Sequence, residues 1–596
     1  CNGGGEREIV FQKGKMGMKQ SETIYRQWLG EERLDPALRG ELLALAGNEK
    51  EIEERFYTEL EFGTAGLRGI IGAGTNRMNV HVVRRATEGL AKYIRTFADG
   101  PARGVAIAYD SRRMSDAFAR ETALVLAQNG IKAYLYTTLH SVPQLSFTVR
   151  HLGCIAGVVI TASHNPPQYN GYKVYWEHGG QAAPAQAAEI FAKIRCADYF
   201  AVRGMEESEA IEKGLLMMIG EEIDEAYYAA TETLLQYPEL MRVHGGELKL
   251  VYTPLHGSGC VPVRTLLARV GVAVHIVPEQ EKPDPAFPTV KAPNPEDPDA
   301  FTLAVPLADR IGADAILATD PDSDRLGVAV RKKDGAFDVL TGNQIGSLLL
   351  HYLLSARKEK GTLPENGIVA KSLVSTRMAD AICARFGVAC KDVPTGFRFI
   401  SEVIDRCERT GEQTFLFGFE ESYGFLSGSF ARDKDAICAA MLVAEACVYY
   451  KQKGMTLYDV LCEMYHIYGY YKESVKSYTL AGKDGIECIR GAMAALRTNC
   501  PKEFGGIAVE TYEDLLAGTC TRITDGAVEP ASMQGIDVLR YSLAGGPWIC
   551  VRPSGTEPKL KLYIGANAPD EAGVDALLQT LVTAADRLLT KLLCVN

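Results

Sequence analysis

Residues Ile155–Pro166 read IAGVVITASHNP, an apolar strand that delivers a polar loop. The same arrangement recurs at Ala313–Arg325 (ADAILATDPDSDR) and at Thr414–Gly424 (TFLFGFEESYG). Each is the third strand of a repeated unit. The first strands are Val105–Tyr109 (VAIAY), Leu248–Tyr252 (LKLVY) and Gly367–Ala370 (GIVA). The second strands are Lys132–Tyr136 (KAYLY), Val272–Val277 (VAVHIV) and Val388–Val393 (VACKDV), each running toward a proline, Pro143, Pro278 and Pro394. Continuous apolar strands alternating with helix-like segments predict parallel-rich α/β sheets buried on both faces. Ligands of such sheets gather at the carboxyl ends of the strands, so the loops after the third strands are where chemistry is expected.

From about Val475 the pattern changes, and Arg552–Lys559 (RPSGTEPK) stands between strands WICV and LKLYI. The expected fold is α/β: three related mixed α/β sheet domains plus a smaller C-terminal α+β domain around a central cleft. The expected boundaries are 1–40 for an N-terminal extension, then 41–220, 221–335, 336–473 and 474–596. Linkers are expected in the acidic stretch Glu206–Glu225, in Arg331–Ala336 and near Gly469–Ser474.

The composition narrows the function classes. Of 596 residues, 64 are Lys or Arg and 75 Asp or Glu, a formal net charge of -11 with no long basic run, which argues against nucleic-acid and anionic-membrane partners. A 47% hydrophobic and 23% charged content excludes wholesale disorder. No apolar run has the ~18–20 residues of a membrane span; Ile437–Tyr450 is already interrupted by Glu445. The 15 cysteines are odd in number and lack a C-x-x-C pair, and the ten histidines lack H-E-x-x-H, so zinc and a disulfide framework are not expected and a reducing cytosol is. Cys1 as a mature lipoprotein end would need a signal peptide; an upstream extension ahead of Met16 and Met18 is the expected reading.

In TASHNP, Ser163 stands at the sheet rim before the turn-favouring Asn165-Pro166, where a hydroxyl can act as nucleophile or phosphate carrier. An inert turn serine has the same local sequence, and Lys173 in the nearby NGYK adds a cation. DPDSDR sets Asp320, Asp322 and Asp324 at alternate positions, so three carboxylates can converge on one hard cation. The loop lacks the glycine and glutamate of an EF-hand, so Mg2+ suits it better than calcium. In GFEESYG, one of Glu420 and Glu421 can face a ligand and accept bonds from vicinal hydroxyls, although a solvated acidic turn reads the same. RPSGTEPK combines Arg552, Ser554, Gly555, Thr556 and Lys559 in a plausible anion nest. The glycine-rich Gly63–Asn79 carries Arg68 and Arg77 but no Walker ending. Taken together, a hydroxyl nucleophile, a metal triad, a hydroxyl reader and a phosphate anchor point to phosphoryl transfer on a polyol.

These four motifs, in this order, resemble those of the α-D-phosphohexomutases, specifically the phosphoglucomutase branch, from about Phe62 to Gly565. Tyr423-Gly424 resembles the glucose type. Asn76–Asn79 (NRMN) and the chain length resemble a long subgroup, some members of which act on mannose or pentose phosphates. The resemblance implies interconversion of glucose 1-phosphate and glucose 6-phosphate through a phosphoserine at Ser163, with glucose 1,6-bisphosphate as intermediate and activator. It implies catalytic roles for Ser163, His164, Lys173 and Arg68, with His164 and Lys173 as alternative general bases. It implies Mg2+ on Ser163, Asp320, Asp322 and Asp324, and substrate binding by Glu420, Ser422, Arg325, Arg398, Arg552, Ser554, Gly555 and Thr556. Arg398 stands where many relatives have lysine; an arginine stays protonated, so phosphate contact is expected there and a proton shuttle is not. Val142-Pro143 replaces a Thr-Pro of many relatives. Small-molecule sugar phosphates are the expected partners of a cytoplasmic monomer or weak homodimer. The alternatives are a phosphomannomutase or phosphopentomutase of the same family, a non-catalytic sugar-phosphate-binding protein, and a metal-dependent phosphatase.

Overall fold

The structure, a computed structural model, describes residues 20–61, 66–480, 482–554 and 559–593. The chain divides into two compact units, Cys1–Ala329 with Phe425–Glu445, and Val330–Gly424 with Ala446–Asn596. Cys1, Met16 and Met18 lie outside the described residues.

The first unit opens with three helices, over 20–30, Pro36–Ala44 and Glu49–Phe56, which bury Tyr25, Trp28, Leu34, Leu42, Ile52 and Phe56 in a cluster with Ala73. A six-stranded sheet follows, in the order Leu67–Ile70, Tyr169–Trp176, Ala156–Ile160, Val105–Tyr109, Ala133–Tyr136, Leu216–Ile219. Its centre is parallel, and Tyr169–Trp176 runs antiparallel to both neighbours. Ile107, Val158 and Ile160 are fully buried, the expected consequence of helices on both faces. A second sheet pairs Ala315–Thr319 in parallel with Leu250–Thr253 and that strand with the edge strand Val274–Ile276, and the strands that deliver TASHNP and DPDSDR are both internal to their sheets.

In the second unit, Gly367–Ser372 pairs in parallel with Ala389–Val393 and with Thr414–Glu420, the strand that delivers GFEESYG. The C-terminal sheet is antiparallel, in the order Tyr470–Thr479, Lys559–Ala568, Trp548–Pro553, Leu539–Leu543, Ile507–Asp514, Thr519–Arg522, Val528–Pro530. Strand alternation sends Leu560, Leu562 and Ile564 against the helices Gly482–Thr498 and Glu571–Leu592. The other face gives Tyr563, Trp548 and Cys550 to a cluster with Leu373 and Val374. Three related α/β sheets and a distinct C-terminal domain are as the repeats led us to expect.

The three stretches expected as linkers are all structured. The stretch Glu206–Glu225 holds the helix Glu207–Glu212, the strand Leu216–Ile219 that completes the first sheet, and the start of Glu221–Glu232. Its charge lies on exposed helix positions while Leu216 is buried, so acidity marked a solvated face and not a break. Arg331–Ala336 is a tight turn closed by the Lys332 amide on the Ala336 carbonyl at 2.8 Å. Gly469–Ser474 enters a strand that pairs with Lys559–Ala568 along its whole length.

One carboxylate ties that first C-terminal strand to the rest of its unit. Asn343 Nδ2 donates to Glu473 Oε2 at 3.0 Å, while Asn343 Oδ1 accepts the Thr376 amide at 3.0 Å. Burial pushes the Glu473 carboxyl up from 4.5 to about 7, against the hydrogen bonds from Thr376 and Asn343. The folded form therefore keeps a proton that the unfolded chain has released. That contribution is full below pH 4.5 and is lost as pH rises through about 7. Glu473→Gln should gain on the wild type by roughly 1–3 kcal/mol between about pH 5 and about pH 8 in denaturant titrations. An offset independent of pH would remove this titration from Glu473.

Candidate active site

The Ser163 loop is shaped before any ligand arrives. Ser163 has φ of 52°, left-handed backbone that costs a non-glycine residue about 1–3 kcal/mol and persists only when its surroundings over-determine it. The Thr161 hydroxyl accepts the Ser163 amide at 2.8 Å, fixing the turn at the strand end. The buried Ser163 hydroxyl donates to Asp320 Oδ2 at 2.7 Å and lies 3.2 Å from His164 Nδ1. Two strand positions beyond Gly171, Lys173 points its Nζ to Asp322 Oδ2 at 2.8 Å, with Asp324 Oδ2 at 3.9 Å.

The three aspartates are buried, and one ligand oxygen from each lies within 4.8 Å of the others. Asp320 Oδ1 accepts the amides of Asp324 and Arg325 at 3.2 and 3.0 Å, so the loop curls around its first carboxylate. Asp322 Oδ1 and Asp324 Oδ1 are buried with no hydrogen-bond partner. Unpartnered buried carboxylate oxygens are costly in water-free protein and are what an all-oxygen divalent site needs, so these residues fit a hard cation. Burial, then the charges of Asp322 and Asp324, raise the Asp320 carboxyl well above its ordinary range. Burial acts the same way on Asp322, but the Lys173 ammonium and the bond from Asp320 outweigh it and hold that carboxyl low. The Val142 amide donates to the Asp322 carbonyl at 2.9 Å, so the start of the helix Val142–His151 supports the acidic loop through main chain alone.

Burial, with Arg325 and Arg68 behind it, holds the His164 imidazole well below its ordinary pKa and keeps it neutral. Arg325 bonds Glu296 and lies 3.9 Å from Asp324 Oδ1. Arg68 is exposed on the strand Leu67–Ile70 and reaches the loop through Asn165 Oδ1 at 3.3 Å.

In the second unit, Glu420 ends its strand and accepts the Gly396 amide at 2.6 Å, while Glu421 accepts the Ser372 hydroxyl at 2.6 Å. The two neighbours thus diverge, as extended backbone requires, and Glu420 is tied to the loop that leads into Arg398. Arg398 begins the helix Arg398–Thr410 with its guanidinium 4.6 Å over the Phe399 ring. Burial lowers its pKa; Glu402 opposes this and the charge of Arg552 adds to it. Arg552 lies opposite Lys561 at the end of Trp548–Pro553, and the Ser554 amide donates to the Lys559 carbonyl at 2.7 Å. Ser422 is partly buried in the turn, and Gly555 and Thr556 lie outside the described residues.

Four segments match, in order, the α/β/α domains I, II and III and the C-terminal domain of phosphoglucomutase/phosphomannomutase, at residues 59–199, 225–335, 341–468 and 497–582. A phosphoglucomutase of Staphylococcus haemolyticus is 37% identical over 520 residues, covering 86% of this chain and 92% of the relative. One of Staphylococcus aureus N315 is 36% identical over 530 residues, covering 88% and 92%. The chain belongs to the phosphoglucomutase/phosphomannomutase family. It is a phosphohexomutase, an enzyme of the isomerase class, as the four loop motifs led us to expect. Its fold is shared with a family protein of Burkholderia thailandensis (18% identity, TM-score 0.63, covering 89% of this chain and 97% of that one). It is shared too with the Paramecium phosphoglucomutase parafusin (16%, TM-score 0.66, covering 90% and 96%). Among the described residues, no helix is long and apolar enough to cross a membrane.

The motifs did not reveal Lys434 of this phosphohexomutase. Its Nζ lies 3.0 Å from Asp324 Oδ2 and 3.2 Å from Asp433 Oδ1. Asp433 in turn accepts the Tyr175 hydroxyl at 2.7 Å and Gln181 Nε2 at 2.9 Å. A signal was present in Arg432–Asp435 (RDKD), four alternating charges directly before the apolar helix Ala436–Lys451, and all four are buried.

Gly342, at the start of the helix Gly342–Glu359, carries the turn of the GFEESYG loop. A Cβ there would lie 2.2 Å from the Glu421 carbonyl oxygen and 2.8 Å from the Tyr423 nitrogen, both main chain. Gly342→Ala should therefore displace Glu420 and Ser422, raising KM for the sugar phosphate about tenfold or more while costing roughly 1–3 kcal/mol of stability. An unchanged KM would show that this turn does not position the substrate.

Proposed function

We propose that this phosphohexomutase interconverts glucose 1-phosphate and glucose 6-phosphate through a phosphoserine at Ser163 and a glucose 1,6-bisphosphate intermediate that also serves as activator. The observation that carries the reading is the Ser163 hydroxyl hydrogen-bonded to Asp320 beside two buried, unpartnered carboxylate oxygens. The names of the staphylococcal relatives support the choice of sugar. Asp320, Asp322, Asp324 and an oxygen of the phosphorylated Ser163 would hold Mg2+, which when bound offsets the charge of the phosphoryl group.

The chain's own residues do the rest. A hydroxyl oxygen of the sugar attacks the phosphorus on Ser163, the bond from phosphorus to the serine oxygen breaks, and the reverse transfer returns the other phosphate to the serine. Neutral His164, with Nδ1 beside the serine oxygen, takes the proton that the attacking hydroxyl releases and passes it to the serine oxygen as its bond to phosphorus breaks, and does the reverse on return. Lys173, paired to Asp322, balances the negative charge, and Arg68 and Arg325 meet the transferring phosphate. Glu420 and Ser422 read the sugar hydroxyls, while Arg398, Arg552, Ser554 and Thr556 hold the phosphate that does not react. A cytoplasmic location belongs to this reading, supported by the free thiols of the described cysteines.

The test combines mass and turnover. Purified protein should carry a phosphate-mass adduct on Ser163, and Ser163→Ala should lose roughly 10³-fold or more in kcat. Among glucose, mannose, glucosamine and ribose 1-phosphates, glucose 1-phosphate should give the highest kcat/KM with catalytic bisphosphate and Mg2+, and a chelator should abolish turnover. Full activity in Ser163→Ala, or phosphate release without isomerised sugar, would sink the reading.

A further inference from the structure

The turn Tyr109–Arg113 (YDSRR) follows the first strand of its unit, and no step above uses it. Arg112 is only 3% exposed, yet its guanidinium is spent on main chain. Nη2 donates to the carbonyls of Ser163, at 2.5 Å, and of Asn165; Nη1 donates to those of Pro166 at 2.9 Å and Tyr169 at 3.1 Å. One side chain thus satisfies four carbonyls of the serine loop. Behind it, Arg112 Nε lies 3.4 Å from the fully buried Asp110 Oδ2, and its carbon lies 5.1 Å over the Phe287 ring. The Asp110 carboxylate also accepts the Arg112 amide at 3.0 Å and the Ser115 hydroxyl at 2.8 Å, which locks the turn. Asn170, at the far end of the loop, donates to the Arg113 carbonyl and to the Ser115 hydroxyl, both at 3.0 Å. The loop is therefore fastened to this turn at both ends.

These contacts have a direction. The carbonyls of an irregular loop packed inside a protein must find donors, and a planar fork with five N–H groups is the side chain that can serve several at once. We propose that Arg112 is a positioning residue for phosphoryl transfer: it holds the left-handed Ser163 in the conformation that aims its oxygen at Asp320, and its fixed charge beneath the loop favours the phosphorylated serine. The inference rests on the mutase reading, and it deepens that reading by separating what orients the phosphoserine from what reacts with it. A phosphoserine brings a charge of about -1.5 to -2. A lysine would keep the positive charge but, as a point donor, could not span the four carbonyls.

Arg112→Lys is the informative variant, because it keeps a cation beside Asp110. Its kcat should fall about 100-fold while KM for glucose 1-phosphate changes by less than about threefold, the pattern of a misplaced reacting group. Hydrogen exchange of the dephosphorylated protein should speed up across residues 161–170 and nowhere else to a comparable degree, and the Ser163 phosphate should be lost to water faster than in the wild type. Guanidinium ion should restore part of the turnover of Arg112→Ala; if that variant does not fold, Arg112→Lys alone decides. Turnover of Arg112→Lys within about twofold of the wild type, or unchanged exchange over 161–170, would overturn the proposal. The exchange measurement needs no substrate, so a wild type that isomerises no sugar phosphate would fail the mutase reading while the positioning role is still decided.

Discussion

Three buried carboxylates within 4.8 Å of one another set the terms for the structure around them. Like charges at that distance inside protein repel strongly, and each must find a counter-charge, a donor, or a proton. Lys173 reaches them from the strand Tyr169–Trp176, and Lys434 from a segment more than a hundred residues further along the chain. Lys434 needs its own holder, and Asp433, bound by Tyr175 and Gln181, provides one. The net charge of -11 thus says little about the site, where acids and bases are interleaved. Removing any one member would leave a buried charge unanswered, so these positions are linked in stability as well as in chemistry.

The repeated units also share a backbone device. Each third strand ends in a loop with a non-glycine residue in left-handed conformation: Ser163 at φ 52°, Ser323 at 53° and Tyr423 at 64°. Such residues turn the chain back sharply at the strand's carboxyl end and are held there by neighbours, as Gly342 allows for Tyr423 and Thr161 for Ser163. One strand-to-loop geometry therefore presents a hydroxyl, a set of carboxylates, and a pair of glutamates in three different loops.

Much of this was legible in the sequence, for physical reasons that also mark where reading stops. Strands buried on both faces write themselves as unbroken apolar runs, so Ala156–Ile160, Ala315–Thr319 and Thr414–Glu420 were visible and brought their loops with them. Glu206–Glu225 misled because a solvated acidic helix and an acidic linker have the same composition, and the buried Ala210, Leu216 and Ile223 are what separates them. Gly469–Ser474 reads as a loop because the half-exposed strand it enters lacks a continuous apolar run. Arg112 had no local signature, since it acts across 51 positions to Ser163, whereas RDKD marked Lys434 without showing its partner Asp324, which lies farther off in the chain.

The division of labour within the acidic loop can be followed atom by atom. Asp322 and Asp324 each give Oδ2 to an ammonium, Lys173 or Lys434, and each leaves Oδ1 without a hydrogen bond. Asp320 is used differently: Oδ1 is committed to the amides of Asp324 and Arg325, and Oδ2 to the Ser163 hydroxyl. The lysines therefore stand on one side of the carboxylates without filling the oxygens that suit a hard cation, while the carboxylate nearest the serine is oriented by main chain. An ordinary structural ion-pair cluster would close on itself, because each unmatched buried oxygen destabilises it. Two oxygens left open beside a serine held in strained backbone fit the proposed site, in which a further positive charge and a group carried by the serine would answer them.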